Sequence, residues 1–575
     1  MPTAKNISLS RAQWRLGLDN KARSNDFEGV MGTAPTPPPP QVDPSPPPNA
    51  GQETTVVVTL HPQSSVTTGV STAVSVGVPI PRGVVPNGNG IVLETTGGTE
   101  IPADISTPVL WQNNTSARSA LIRFDYAFAT LDPVDVHVVL NKAQSSPITR
   151  ATTVESEWTT IPDPFEPSSI IEPRMPTTVE EPMVYATCPA SYLANCEFRT
   201  QTLAIGANPT QTVMDNAYVN WSDSAVNRTS EDVLLGERNQ YAVASEPWLF
   251  DRTSTLFGIY ARTGDVFWLR EAHRSANFYT SYIGGDEATD GFFTLKPKGA
   301  YGWDIKYSYN RPLMIDILCT GDTRHLTTIN QIADEWISNF NHMYSPTAAV
   351  WTERHVAFKL MAMIGAWECT GSQTYKDEAD SIIAEIIRMT DTPENGWPDI
   401  GAPVHSKLVH EGWGNEPVNS PWMLALLSEA FMIYWRHFGG TNVLDWIADL
   451  GDWYVNYGTF VSNAGLMTGL LMPWYLSSHE YTYTDDLWAA FMHAPEVLGA
   501  MYRALWAKQQ LGDSTTALAS ATTEMVLSME YCFNDQTRGD PASTGKQQYR
   551  LMTGRTYNYW FGSSFDTAWL ESEIV

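Results

Sequence analysis

Positive charge is what this sequence has least of for its length. Its 575 residues carry 35 Lys and Arg against 63 Asp and Glu, a formal net charge of −28. Nucleic-acid binding needs a basic footprint on the phosphates, so that class of partner is excluded. Any polyanionic substrate has to be held by local cations. Cysteine is scarce too, and five residues do not make a disulfide scaffold. Cys319 and Cys369 fall in apolar helical runs and read as buried thiols. Cys188 and Cys196, in CPASYLANC, are spaced to close a small loop in an oxidising environment. No apolar run approaches the ~18 residues of a membrane-spanning helix, which excludes a span. The first stretch, MPTAKNISLSRAQWRLGLDNKAR, has no apolar segment of the secretory kind. The expectation is therefore a cytoplasmic chain, or one released by lysis or carried on a virion.

What is present is globular composition, 43% hydrophobic and 17% charged, in a chain too long for one core, so two or more domains are expected. Aromatics are plentiful, with 21 Trp and 24 Tyr. Many stand near Gly, Pro and Asn, away from helix interiors, where aromatic side chains offer an apolar face and a polar edge to sugar rings.

Composition divides the chain. Residues 1–53 hold an N-terminal segment and the proline-rich spacer TAPTPPPPQVDPSPPP (33–48), extended and semi-rigid, either a passive linker or a tether from an N-terminal anchor. Residues 54–145 alternate with period two in TTVVVTL, VSTAVSVGVPIP, GIVLETT, SALIRFDYAF and VDVHVVLN, separated by turn residues; these predict an all-β sandwich or small barrel. Residues 146–240 are Pro-rich and predict an irregular connector wrapping the domains.

From 241 to 575 the period becomes helical and repeats. ARTGDVFWL (261–269), LCTGDTRHL (318–326), ECTGSQTYK (368–376), HFGGTNVLDW (437–446) and QLGDSTTAL (510–518) each read as a tight glycine turn between two helices. Before the turn, HVAFKLMAMIGAW (355–367) and PWMLALLSEAFMIYW (421–435) are apolar nearly all round, as helices buried on both sides are. After it, Ala379, Ile382, Ile383, Ile386 and Ile387 make one stripe, as do Ile329, Ile332, Trp336, Ile337 and Phe340. Inner and outer helices alternating over five or six pairs predict an (α/α)5-6 toroid, with an open solenoid as the alternative. The fold class expected is multidomain α+β.

VSVGVPIPRGVV (74–85) and GTEIPADISTPVLWQNNTSARSALIRFDYAF (98–128) resemble the N-terminal β-barrel of the exo-rhamnogalacturonan-lyase/YetA-like proteins. RTSTLFGIYARTGDVFWLREAHRSANFY (252–279) is similar to the helix-pair repeat of (α/α)-toroid lyases and hydrolases. The resemblance implies a polysaccharide lyase-type catalytic domain. The chain departs from larger family members in its Pro-rich N-terminal segment and in showing no C-terminal β-sandwich pattern. Both departures fit a phage-borne or virion-associated depolymerase, with residues 1–50 as the contact to other virion proteins.

In a toroid the cleft is lined by loops leading into the inner helices, and there polar and aromatic residues crowd. They are Glu246, Trp248 and Arg252; Tyr301, Trp303, Asp304, Lys306, Tyr307, Tyr309 and Arg311; Trp351, Glu353, Arg354 and His355; His405, Lys407, His410, Glu411 and Trp413; His479, Glu480, Tyr481, Tyr483 and Asp485. Cleaving a uronic-acid polymer by β-elimination needs a cation on the carboxylate, a base for the adjacent C–H and an acid for the leaving oxygen. The expected base is His355 or His410, the acid Tyr309 or Tyr307, and the carboxylate binder Arg354 or Arg311. Trp248, Arg252, Trp303, Lys306, Trp351, Trp413, His479 and Tyr481 are expected to bind an acidic polysaccharide. A histidine at a helix start such as His355 has the alternative of being buried and hydrogen-bonded.

An inverting glycoside hydrolase on the same toroid is the competing enzyme, with Asp304, Glu353, Glu411 and Asp485 as available carboxyls. A non-catalytic virion or surface glycan-binding protein is the reading from another class. No cofactor is called for, since the usual metal motifs are absent. His405, His410, Glu411 and His479 are the residues that could still meet around a zinc or calcium ion.

Overall fold

The computed structural model describes residues 50–574 apart from 114–115, 151–157, 163–177, 227–247, 285–291, 294–304, 347–350, 410–413, 464–466, 485–491 and 535–553. The proline-rich spacer, Glu246, Tyr301, Trp303, Asp304, His410, Glu411, Trp413 and Asp485 lie outside the described residues. Among the described residues, no helix is long and apolar enough to cross a membrane.

The five β-branched segments form strands: β1 (Thr54–Pro62), β2 (Ser71–Pro79), β3 (Ile91–Thr95), β5 (Ser119–Ala127) and β6 (Val134–Leu140). The short β4 (Ala103–Ser106) and β7 (Val184–Thr187) are additions. One antiparallel sheet runs β7-β1-β6-β3 and the other β2-β5-β4. Their alternate residues, among them Val58, Val138, Ile122 and Phe124, are fully buried between the sheets. β7 falls in the stretch expected to be an irregular connector. It pairs with β1, so that connector contributes a strand, and further along a helix, to the regular structure.

The chain then becomes helical. α1 (Thr212–Val226) is followed by the pairs α2/α3 (Arg252–Thr263, Val266–Ser281), α4/α5 (Arg311–Thr320, His325–Asn339), α6/α7 (Glu353–Thr370, Gln373–Asp391), α8/α9 (Pro421–Phe438, Thr441–Trp453) and α10/α11 (Ala494–Leu511, Thr516–Asn534). α12 (Gly554–Gly562) and α13 (Thr567–Glu573) end it. Strands at the N-terminal side and helices toward the C-terminal side make the molecule α+β.

The helix packing closes on itself. α2 packs on α4, α4 on α6, α6 on α8, α8 on α10, α10 on α12, and α12 back on α2. These six are buried nearly all round, because neighbours cover them on every side. Outside them, α3, α5, α7, α9 and α11 each pack on the inner helix that precedes them, with one buried stripe. The sixth outer position, against α12, is filled by α1 from far earlier in the chain. The expected glycine turns are present, and Gly264, Gly321, Gly371 and Gly512 cap inner helices with positive φ.

The β-sandwich covers the C-terminal end of this ring. β2 lies on α4 with backbone meeting backbone: a Cβ on Gly77 would stand 2.6 Å from the amide nitrogen of Gly321. Gly321 itself (φ 79°) has no room either, since a Cβ there would sit 2.4 Å from Leu121. Small residues on this face of β2 are thus what let sheet and ring touch.

Polar bonds complete the junction. The Trp111 ring is stacked between the guanidiniums of Arg82 (4.2 Å) and Arg118 (3.8 Å). Arg118 reaches Glu368 near the end of α6, and Glu368 also takes Arg311 (3.2 Å) and His437 (2.7 Å). Glu197 receives Arg82 (3.3 Å) and Arg436. Gln112 and Asn113 donate to the carbonyls of Glu368 (3.0 Å) and His437 (2.9 Å), capping α6 and α8. The stretch from Trp111 to Arg118 is therefore a bolt between sandwich and helices.

Candidate active site

The ring end opposite the sandwich is built from the starts of the inner helices. Helix N-termini leave backbone N–H groups unbonded, and side chains at these positions take them up. Asp251 caps α2 by accepting from the Ser254 amide (3.0 Å), and Thr352 caps α6 by accepting from that of His355 (3.2 Å). Phe250 and Asp251 are consecutive non-glycine residues with positive φ (70° and 61°), an arrangement that costs on the order of 1–2 kcal/mol per residue. It turns Phe250 toward the ring axis, edge-on to Phe358, Trp422 and Tyr559.

On this aromatic floor stands Arg354, half-buried, its guanidinium 5.9 Å from the Phe250 ring and 5.6 Å from the Trp422 ring. Among the described residues it has no carboxylate partner, and its Nε has no hydrogen bond. Trp422 lies at the start of α8, and His493 stacks flat upon it (4.8 Å, 8°). His493 precedes α10 and is bonded through Nδ1 to the carboxylate of Glu496, one turn into the helix. Glu496 is buried, and burial pushes its carboxyl up while His493 opposes the shift. Tyr559 (5.4 Å) and Tyr475 (6.5 Å) flank the imidazole. Beyond Tyr475 the aromatic path continues outward through Tyr483 and Tyr481 to Lys407, whose Nζ donates to the Tyr481 hydroxyl (2.9 Å).

The expected residues are thus distributed unevenly. Arg354 is at the mouth, and Tyr481 is on the aromatic path. His479 sits half-buried on the same hairpin, 3.5 Å from Glu480. His355 is buried, bonded to the Thr352 hydroxyl (2.6 Å) and stacked on Phe340 toward the outer helices. It matches the packed, hydrogen-bonded histidine of the alternative reading. Tyr309 is buried as well. Its hydroxyl accepts from the Phe250 amide (2.9 Å) and donates to the Lys306 carbonyl (2.5 Å), and burial pushes its pKa well up. A proton so held is poorly placed to leave.

Tyr307 is also buried, its carbonyl accepting from Tyr279, with Lys306 5.4 Å over its ring. Arg311 is spent on Glu368 and the carbonyl of Arg199 (3.2 Å) inside the ring, because its side chain runs inward rather than toward the mouth. Trp248, Arg252 and Trp351 are core side chains: Trp248 stacks on Phe278 (5.2 Å) below Arg252, and Trp351 donates to the His342 carbonyl (2.9 Å).

Glu353 and His405 form a buried pair (3.0 Å), and Glu353 also accepts from the Ser420 amide (2.9 Å), which ties α6 to α8. Among the described residues, neither His405 nor His479 belongs to a group arranged for an ion. The group best arranged for an ion among the described residues is elsewhere: Asp316, Asp322 and His325, between α4 and α5 near the sandwich. Asp316 is already flanked by His273 (2.9 Å) and His325 (2.8 Å), and Asp322 by Arg324 (2.8 Å), so it reads as an ion-pair network. Cys188 and Cys196 are buried free thiols, and burial raises Cys188 to about 12; the loop disulfide that their spacing allows is not formed.

Trp422, His493, Glu496, Tyr559 and Phe250 were not singled out in the sequence. The signal was available for three of them. PWMLALL and HAPEVL open helices with Pro in the first turn, and His493 and Glu496 stand three apart across such a start. The rule that selected Arg354 applies equally to these two later repeats.

No protein-family model matches the chain, and no curated protein is similar to it. Among solved structures, the crystal structure of an unsaturated glucuronyl hydrolase specific for heparin is similar over 63% of this chain and 98% of its own, at 13% identity and a TM-score of 0.41.

Proposed function

We propose that the chain is a polysaccharide lyase that cleaves an acidic, uronic-acid-containing polymer by β-elimination, at the mouth of an (α/α) toroid formed by the helical half. The observation that carries this reading is the pair of groups on Trp422. One is a cation, Arg354, that has no carboxylate partner among the described residues. The other is an imidazole, His493, whose Nδ1 is engaged by a buried carboxylate and whose Nε2 has no partner among the described residues.

Elimination follows from these parts. Arg354 neutralises the uronate carboxylate and stabilises the charge that develops on it as the adjacent C5–H bond weakens. His493 takes that proton on Nε2, with Glu496 fixing the tautomer and orientation. The C5–H electron pair becomes a C4–C5 double bond, the C4–O bond breaks, and the leaving oxygen takes a proton from water. Tyr475 and Tyr483 offer faces for neighbouring sugars, with Lys407 at the outer end for a further carboxylate. Glu353 and Glu496 are buried and held by His405 and His493, so neither is placed to serve as one of the two carboxyls of a hydrolase.

The test is ultraviolet absorbance of the unsaturated uronate on a panel of acidic polysaccharides. Wild type is expected to generate it, and His493→Ala to lose activity by roughly 100- to 10,000-fold. New reducing ends without absorbance would replace the lyase by a hydrolase. Binding of the polymer without either product would leave a glycan-binding protein, on virion or cell surface.

A further inference from the structure

Beneath the mouth, on the ring axis, lies a cavity with apolar walls from Phe358, Met361 and Ala362 and polar lining from Arg199, Asn310 and Arg311. Arg199 gives Nε and Nη2 to Glu429 (2.6 and 3.0 Å). Its Nη1 has no hydrogen-bond partner and stands 3.9 Å from the Asp251 carboxylate. Arg311 spends Nη1 on Glu368 and Nη2 on the Arg199 carbonyl, and its Nε has no partner. Their side chains are 5% and 3% exposed.

The surrounding charge does not balance. Arg82 and Arg436 share Glu197, Arg118 and Arg311 share Glu368, and Arg199 has Glu429 with Asp251 beyond it. Among the described residues, that is one guanidinium more than there are carboxylates. Both Asp251 oxygens are already engaged by the Ser254 amide and hydroxyl. His437 adds no anion and is held down to about 4 by burial, which Glu368 offsets only in part. Burial likewise lowers Arg82, Arg311 and, to about 10, Arg118, against the pull of their carboxylates, whereas at Arg199 burial is outweighed by Glu429 and Asp251, which raise it. A buried, under-neutralised cation is costly, and an unbonded N–H in a cavity is where a counter-ion settles.

We propose that this cavity is a binding site for a small monovalent anion of the halide class, held by the unpartnered donors of Arg199 and Arg311. The ion completes the charge balance of the network that joins the sandwich to the ring. It acts as a structural counter-ion, independent of the catalytic reading.

The test uses the full chain and sodium bromide. Melting temperature is followed against bromide, with sodium gluconate, whose anion is too large for the cavity, making up constant ionic strength. A saturable rise of several degrees with bromide is expected, absent in Ala362→Leu, which fills the cavity without removing a charge. Should that variant fail to fold, bromide-soaked crystals of the wild type decide, with an anomalous peak expected beside Arg199 and Arg311. A water without anomalous signal at that position, or a bromide effect undiminished in a folded Ala362→Leu protein, overturns the proposal.

Discussion

The carboxylate of Glu496 bonds Nδ1 of His493 across the first turn of α10, and the imidazole it holds lies flat on Trp422. A buried anion on one ring nitrogen presents the other for proton transfer, much as a carboxylate bonded to the far nitrogen of a metal-ligating histidine orients that ring. Glu496→Gln keeps the shape and removes the charge. It is expected to lower kcat about 10- to 100-fold with little change in KM, measured by steady-state kinetics on whichever acidic polymer is cleaved. Unchanged kcat would remove Glu496 from the proposed mechanism.

Arg354 is expected to act on the substrate's carboxylate alone. Arg354→Met should cost about 100- to 1,000-fold in kcat/KM on the acidic polymer. Binding of the same polymer with its carboxyls reduced to alcohols should be unaffected by the substitution. Equal losses of binding to both polymers would mean that Arg354 supports the mouth by stacking only.

Glu368 receives Arg118 from the sandwich and Arg311 and His437 from the ring, all buried. Burial pushes its carboxyl up, yet Arg118, with the other two, holds it well below the usual range. Glu368→Gln leaves two buried guanidiniums without their anion and should destabilise the fold by about 3–5 kcal/mol. Chemical denaturation checks this, with loss of the sandwich–ring junction as the first transition.

His437 sets a pH dependence. Burial holds it at about 4, against an ordinary histidine value near 6.5. Between these values the unfolded chain binds the proton and the folded chain does not. Stability is therefore full above about pH 6.5 and falls as the pH drops toward 4, by on the order of 3 kcal/mol. The slope of melting temperature between pH 6.5 and 5, where ordinary carboxyls stay mostly ionised, should flatten in His437→Gln.

Gly77 meets the end of α4 through backbone alone. Gly77→Ala places a methyl 2.6 Å from the Gly321 nitrogen, a clash that no side-chain rotation relieves. A loss of about 1–3 kcal/mol is expected, read as a lowered melting temperature. Gly97→Ala, at an ordinary φ with nothing nearer than 3.7 Å to the added methyl, is the control without a clash.

Much of the architecture was legible before any coordinates. Val56, Val58 and Leu60 alternate on β1 as a one-faced strand requires, and Ile382, Ile383 and Ile386 recur on α7 as an outer helix requires. Those patterns are local, set by periods of two and 3.6, and they survive folding unchanged. The closure of the ring was not legible in full, because its sixth outer helix, α1, comes from a stretch read as connector.

The site was legible only as a rule of place. Loops before inner helices collected Arg354, which stands at the mouth, but also Tyr309 and Arg311, which turn inward, and His355, which turns toward the outer helices. By itself the sequence determined strands then paired helices, the glycine turns between them, and a mouth rich in Arg, His and aromatic rings. Tertiary structure alone decided which of those side chains face the mouth. A residue at a helix start points into the ring, outward or upward according to its angle about the helix axis relative to neighbours hundreds of residues away. Placing His493 on Trp422 beside Arg354, and Arg311 on Glu368 instead, depends on that long-range packing, which no local period encodes.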